Sequence, residues 1–132
     1  MNFEMRLRGQ GTADRYADAM SKKPTMSSRK VTWATVRDLA LALPGTEEST
    51  SYRTPAMKVR GKLIARLKED GETIVVPMGL DERAVRIEAD PDVFFVTEHY
   101  APWPYVLVRL AKVTRTDLRE LLQDAWRMVV GG

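Results

Sequence analysis

Residues 56–68 read AMKVRGKLIARLK, and the fold turns on how this stretch is paired. Its odd positions are mostly apolar (Met57, Val59, Leu63, Ala65, Leu67). Beyond Ala56, its even positions carry Lys58, Arg60, Lys62, Arg66 and Lys68, with Ile64 the exception. Such alternation marks two strands with one buried and one solvated face. Gly61 lies at the centre, where a hairpin tip needs a residue tolerant of positive φ. A two-residue turn at Arg60-Gly61 would set Val59 opposite Lys62 and mix apolar and basic residues on one face. An odd-length loop keeps odd opposite odd, so the pattern predicts a three-residue loop with Gly61 in a bulge. All the basic residues would then form one ribbon, a shape suited to a nucleic-acid groove. The alternative is an edge hairpin whose Lys and Arg residues guard against strand addition.

The remaining chain supplies elements to cover that hairpin. Val36, Leu39, Ala40 and Leu43 share one helical face over residues 32–43, with Thr32 as cap and Pro44-Gly45 as stop. Residues 49–54 read as a short strand ending at Pro55, and Glu69-Asp70-Gly71-Glu72 as a turn. Residues 73–77 form a buried strand rich in β-branched residues. Residues 80–89 form a helix with Asp81 as cap, closed by Asp90-Pro91. Strands follow at 93–97 and 105–113. The segment between them holds Pro102 and Pro104, which predict an extended loop outside the ladder. Thr116 then caps a closing helix with Leu118, Leu121, Leu122, Ala125 and Val129 on one face. The fold class is α+β. An antiparallel sheet of about five to six strands is packed on one face by N-terminal and C-terminal helices, with a short middle helix.

Composition sets the limits. The chain has 132 residues, 44% hydrophobic and 30% charged, which suits one folded domain. It has no cysteine, which excludes disulfides and thiolate chemistry and fits a cytoplasmic location. No apolar run approaches a membrane span, and the N-terminus does not read as a secretory signal. Of the 21 basic and 18 acidic residues, seven and three fall in residues 1–31, leaving fourteen and fifteen beyond. The positive balance therefore belongs to residues 1–30, which show no periodicity and read as a mobile basic arm. Met20 and Met26 are alternative starts. The domain proper is residues 31–132. Within it the basic residues concentrate from Arg53 to Lys68, six of them with no acid between.

Several stretches together resemble the MmcQ/YjbR-like family. They are Leu43-Pro-Gly-Thr-Glu-Glu48, Val59-Arg-Gly-Lys62, Asp90-Pro-Asp-Val-Phe-Phe-Val-Thr97 with His99-Tyr100, Val106-Leu-Val-Arg-Leu110, and the closing helix with Ala125-Trp126. The similarity spans roughly residues 31–130. It implies a frataxin-like α+β fold and a "double wing" of β-hairpins that binds DNA. On that reading Arg53, Lys58, Arg60, Lys62, Arg66 and Lys68 contact phosphates, giving weak DNA binding without sequence preference. The second reading is a small-ligand or protein-interaction module. It uses the aromatic loop with His99, Tyr100 and Trp103, and Arg109 as an anion anchor. His99 could instead serve the loop by capping backbone groups. No cofactor is expected. Iron binding needs an acidic ridge, whereas the first helix carries only Asp38, so no metal site is expected either. No P-loop, dinucleotide or Gly-x-Ser-x-Gly motif occurs, so catalysis is not expected.

Overall fold

A computed structural model describes residues 30–131. The basic-arm reading of residues 1–30, and the two alternative starts within it, therefore fall outside the described residues except for Lys30. In chain order the elements are α1 (Trp33–Leu41), β1 (Thr46–Ser51), β2 (Thr54–Val59), β3 (Lys62–Leu67) and β4 (Thr73–Pro77). They continue with α2 (Leu80–Ala89), β5 (Phe94–Phe95), β6 (Tyr105–Arg109) and α3 (Arg115–Gly131). The six strands form one antiparallel sheet in the order β1-β2-β3-β4-β6-β5. This is the expected α+β class.

Two-residue turns dominate the first half of the sheet. The β1–β2 hairpin closes at Tyr52-Arg53, and the β2–β3 hairpin at Arg60-Gly61. All four residues have positive φ, at 53°, 68°, 55° and 76° in chain order. That is the type I′ pattern, whose twist suits antiparallel strands. Residues 46–51 and 54–59 are thus two strands, and the single strand expected over 49–54 is corrected. Pro55 does not end the strand. It sits opposite Thr50, and the β2–β3 ladder begins only at Ala56, so its missing N–H interrupts no bond there.

The three-residue loop is corrected too, but the parity argument behind it survives in another place. Val59 faces Lys62 and Lys58 faces Leu63, whereas Met57 faces Ala65 and Ala56 faces Arg66. The extra residue is therefore Ile64, a bulge inside β3. Beyond it, odd again opposes odd, and Met57 and Ala65 return to the core face together.

That face is covered by helices. Met57, Val59, Ala65, Ile74, Val76, Val106 and Val108 pack with Val36 and Ala40 of α1 and with Leu118, Leu121, Leu122 and Ala125 of α3. Each fully buried leucine contributes about 1.5–3 kcal/mol. The Thr32 backbone N–H donates to Thr35 Oγ1 at 3.2 Å, so Thr32 does begin α1. At α3 the cap is Thr114 instead of Thr116: its Oγ1 accepts from the Asp117 N–H at 3.1 Å. Gly79, not Asp81, is the N-cap of α2, while Asp81 stands in the first turn. β6 stops at Arg109 because Lys112 and Val113 fold back to donate to its carbonyl.

Candidate functional site: a cleft on the open face of the sheet

The sheet face away from α1 and α3 carries Lys58, Leu63, Arg66, Val75 and Tyr105, as the strand register requires. Over it lies the segment between β5 and β6. The two prolines do keep it out of the ladder, but it is coiled into turns and not extended. Tyr100 donates to Thr97 O at 3.0 Å, Ala101 to Glu98 O at 3.3 Å and Trp103 to Tyr100 O at 3.0 Å. Between segment and sheet is a cleft of about 540 Å³. Its floor is Leu63 and Val75, its walls include Tyr52, His99, Tyr100, Trp103 and Tyr105, and Lys58 and Arg66 supply cationic groups.

One residue holds the wall in place. The Arg83 guanidinium, reaching from α2, donates through Nη1 to the carbonyls of Tyr100 (3.4 Å), Trp103 (2.9 Å) and Tyr105 (3.1 Å). Its Nη2 donates to Ala101 O at 2.9 Å. The capping expected of His99 is thus performed by Arg83. His99 instead lies edge-on to Tyr100, ring centroids 4.8 Å apart, and Tyr100 lies edge-on to Tyr105 at 6.1 Å.

Arg66 joins the wall to the sheet. It is only 4% exposed. Its Nε donates to Ser51 O at 3.1 Å, Nη1 to Tyr100 Oη at 3.2 Å and Nη2 to Glu69 Oε2 at 2.6 Å. The Tyr52 ring lies 5.1 Å from its guanidinium carbon. A hydrogen bond from its own backbone N–H holds the Glu69 carboxyl below the usual range; desolvation opposes this, and the neighbouring Arg66 and Lys68 reinforce it. At Asp70 partial desolvation pushes the other way. It is outweighed by hydrogen bonds from the Glu72 N–H and from the Thr73 N–H and hydroxyl, so that carboxyl is lowered as well.

The basic residues of the hairpin do not share a face. Lys58, Arg66 and Lys68 belong to the open side, and the Lys68 ammonium lies 5.5 Å from the Tyr100 ring centroid. Lys62 pairs with Val59 on the helix side. Arg60 is at one turn, and Arg53 at the other turn, at the far end of β2. Arg66 is engaged internally as described. The single ribbon that the three-residue loop predicted is therefore not formed.

The aromatic loop residues His99, Tyr100 and Trp103 are brought together around the cleft, but Arg109 is not among its lining. Arg109 Nη1 donates to Pro91 O and Asp92 O, both at 3.1 Å, and the guanidinium stacks 4.1 Å from the Phe95 ring. It fastens the approach to β5. Sequence reasoning missed Tyr52, Leu63 and Val75 as lining residues, and Arg83 as the clamp. No signal in the chain ties residue 83 to carbonyls near residue 100. Among the described residues no cluster of three or more His, Cys, Asp or Glu could hold a metal ion. No described helix is long and apolar enough to cross a membrane.

Comparison with known proteins places this geometry in a family. The YjbR family model matches residues 41–128. The chain belongs to the YjbR family. Uncharacterised proteins of Mycobacterium bovis (Mb2600) and Mycobacterium tuberculosis (Rv2570) are each 31% identical over 115 residues, covering 74% of this chain and 87% of theirs. The crystal structure of Deinococcus radiodurans protein DR2400, described as a DUF419 domain, superposes with a TM-score of 0.66. It is 20% identical, over 76% of this chain and 80% of that one. At that identity the likeness speaks to the YjbR fold alone. The resemblance found in the sequence stands, and within the YjbR domain both hairpins and the aromatic segment fall inside the matched residues.

Proposed function

We propose that this YjbR protein binds a small molecule in the cleft between the open face of the sheet and the 96–104 segment. The observation that carries the reading is a volume of about 540 Å³ with an apolar floor, aromatic walls and a lysine on its lining. Ligand sites typically span about 300–1,000 Å³ and have this mixture of apolar surface and few polar groups. Two features support a built site over an accidental groove. The wall is clamped by Arg83 through several carbonyls, and Tyr52 is held at a φ of 53° that bulky residues seldom adopt. No reaction is proposed.

The test is an amide NMR titration of the full chain with a panel of planar aromatic fragments. Shifts are expected at Leu63, Arg66, Val75, His99, Tyr100, Ala101 and Trp103. DNA contact is the competing outcome. If the fragments leave those amides unmoved while short duplex DNA at low salt shifts Arg53, Arg60 and Lys62, the cleft reading is wrong and the hairpins are the site.

A further inference from the structure

The charges around the cleft say what kind of molecule would fit. Among the described residues the ion pairs are Arg37–Asp38, Arg66–Glu69, Arg86–Glu82 and Arg127–Asp124. Arg66 is thus neutralised by Glu69 at 2.6 Å, whereas Lys58 has no carboxylate within ion-pair distance among the described residues. Glu47 stands opposite Lys58 in the β1–β2 register, but it is exposed. Attraction across such an exposed pair is weak, because water screens it. The cleft therefore presents one ammonium whose charge its own lining does not balance. A neutral or cationic ligand would strip water from that ammonium without compensation, whereas an anion would replace the water with a charge-assisted hydrogen bond. The walls add a shape requirement. Tyr52, His99, Tyr100, Trp103 and Tyr105 are five of the eleven lining residues, so flat surfaces and ring edges dominate the contact.

Building on the cleft reading, we infer that the ligand is a planar organic anion. Its carboxylate or phosphate meets Lys58, and its ring system lies over Leu63 and Val75 against Trp103 and Tyr105. Lys58 is then the specificity-determining residue, and Glu47 tunes it from the neighbouring strand.

The experiment is isothermal titration of the full chain at low salt with matched naphthalene probes. They are 2-naphthoate, 2-naphthyl phosphate, the neutral 2-naphthalenemethanol and the cationic 2-naphthalenemethylamine. A hydrogen bond to a charged group is worth about 1.5–3 kcal/mol, so at least one anion should bind roughly tenfold or more tightly than the alcohol. Lys58→Gln should erase that preference, and an unchanged urea midpoint shows that the variant is folded. Glu47→Gln should strengthen anion binding. If the alcohol binds as well as both anions, or Lys58→Gln leaves the preference unchanged, the anion inference fails and the cleft remains a binding site. If none of the probes gives binding heat, both readings fail.

Discussion

Replacing Arg66 by methionine tests whether this residue belongs to the interior or to a surface that meets phosphates. The guanidinium makes three hydrogen bonds and lies against the Tyr52 ring, with the residue 4% exposed. Not every partner is stranded by its removal. The Glu69 side chain is 65% exposed and rehydrates, and the Ser51 carbonyl keeps the Thr54 hydroxyl as a donor at 2.9 Å. What is lost are two bonds from a charged donor to neutral acceptors and a cation–π contact of about 0.5–1 kcal/mol. Relief from burying a charge offsets part of this. Methionine preserves most of the aliphatic stem, so the net loss should be about 2–3 kcal/mol, against about 3–4 kcal/mol for alanine. The assay is urea denaturation of the full chain at neutral pH, with the midpoint falling and the slope unchanged. In thermal unfolding the same loss corresponds to a drop of roughly 8–15 °C. A surface arginine would shift stability by less than about 0.5 kcal/mol. A change that small in Arg66→Met would refute the assignment of Arg66 to the cleft wall.

Three further outcomes follow from the same geometry. Arg60 sits at φ 55° in a two-residue turn, so Arg60→Asn should raise stability by about 0.5–1 kcal/mol in a denaturant titration, and a three-residue loop would give no gain. Arg83→Met frees the carbonyls of the aromatic wall. Stability should fall by about 2–3 kcal/mol, and amide exchange at Tyr100, Ala101 and Trp103 should accelerate more than in α3. Asp70→Ala removes three hydrogen bonds and should cost about 1–2 kcal/mol at pH 7. Because the folded carboxyl titrates below its unfolded value of about 3.9, its contribution is present above that pH and is lost as pH falls through the folded value. The gap between native chain and variant should therefore narrow from pH 6 to pH 3, and an unchanged gap would contradict this role.

Much of the fold is legible because it depends on local periodicity. Leu118, Leu121, Leu122 and Ala125 mark one buried helical face, and the limits of residues 73–77 and 80–89 match the observed elements. The hairpin shows where such reading stops. Alternation requires one extra residue somewhere between Met57 and Ala65, and Gly61 was the natural place for it. The chain instead uses Ile64, the one apolar residue at an even position beyond Ala56, and that break in the pattern was the visible sign of the bulge. Moving the extra residue from loop to strand sends Lys62 to the helix side and leaves Lys58 on the open side, so the basic ribbon divides. Boundaries set by capping bonds were less legible, since Thr114 and Thr116 are both sound caps and only the geometry of the Asp117 N–H selects one. Of the site, the aromatic loop was recognisable from its composition. Its floor and clamp were not, because Leu63, Val75 and Arg83 meet it only through the sheet register and the placement of α2.

The most direct test of the cleft as the binding site uses the protein's three tryptophans. Trp103 lines the cleft, whereas Trp33 and Trp126 pack against the core on the helix side, and Trp126 Nε1 donates to Pro44 O at 2.8 Å. The full chain labelled with 5-fluorotryptophan would be titrated with 2-naphthoate and followed by ¹⁹F NMR, with Trp103→Phe assigning its resonance. The expected result is a saturable shift of the Trp103 signal while the other two stay fixed. An unmoved Trp103 signal up to millimolar 2-naphthoate, or a shift confined to Trp33 or Trp126, would contradict the account.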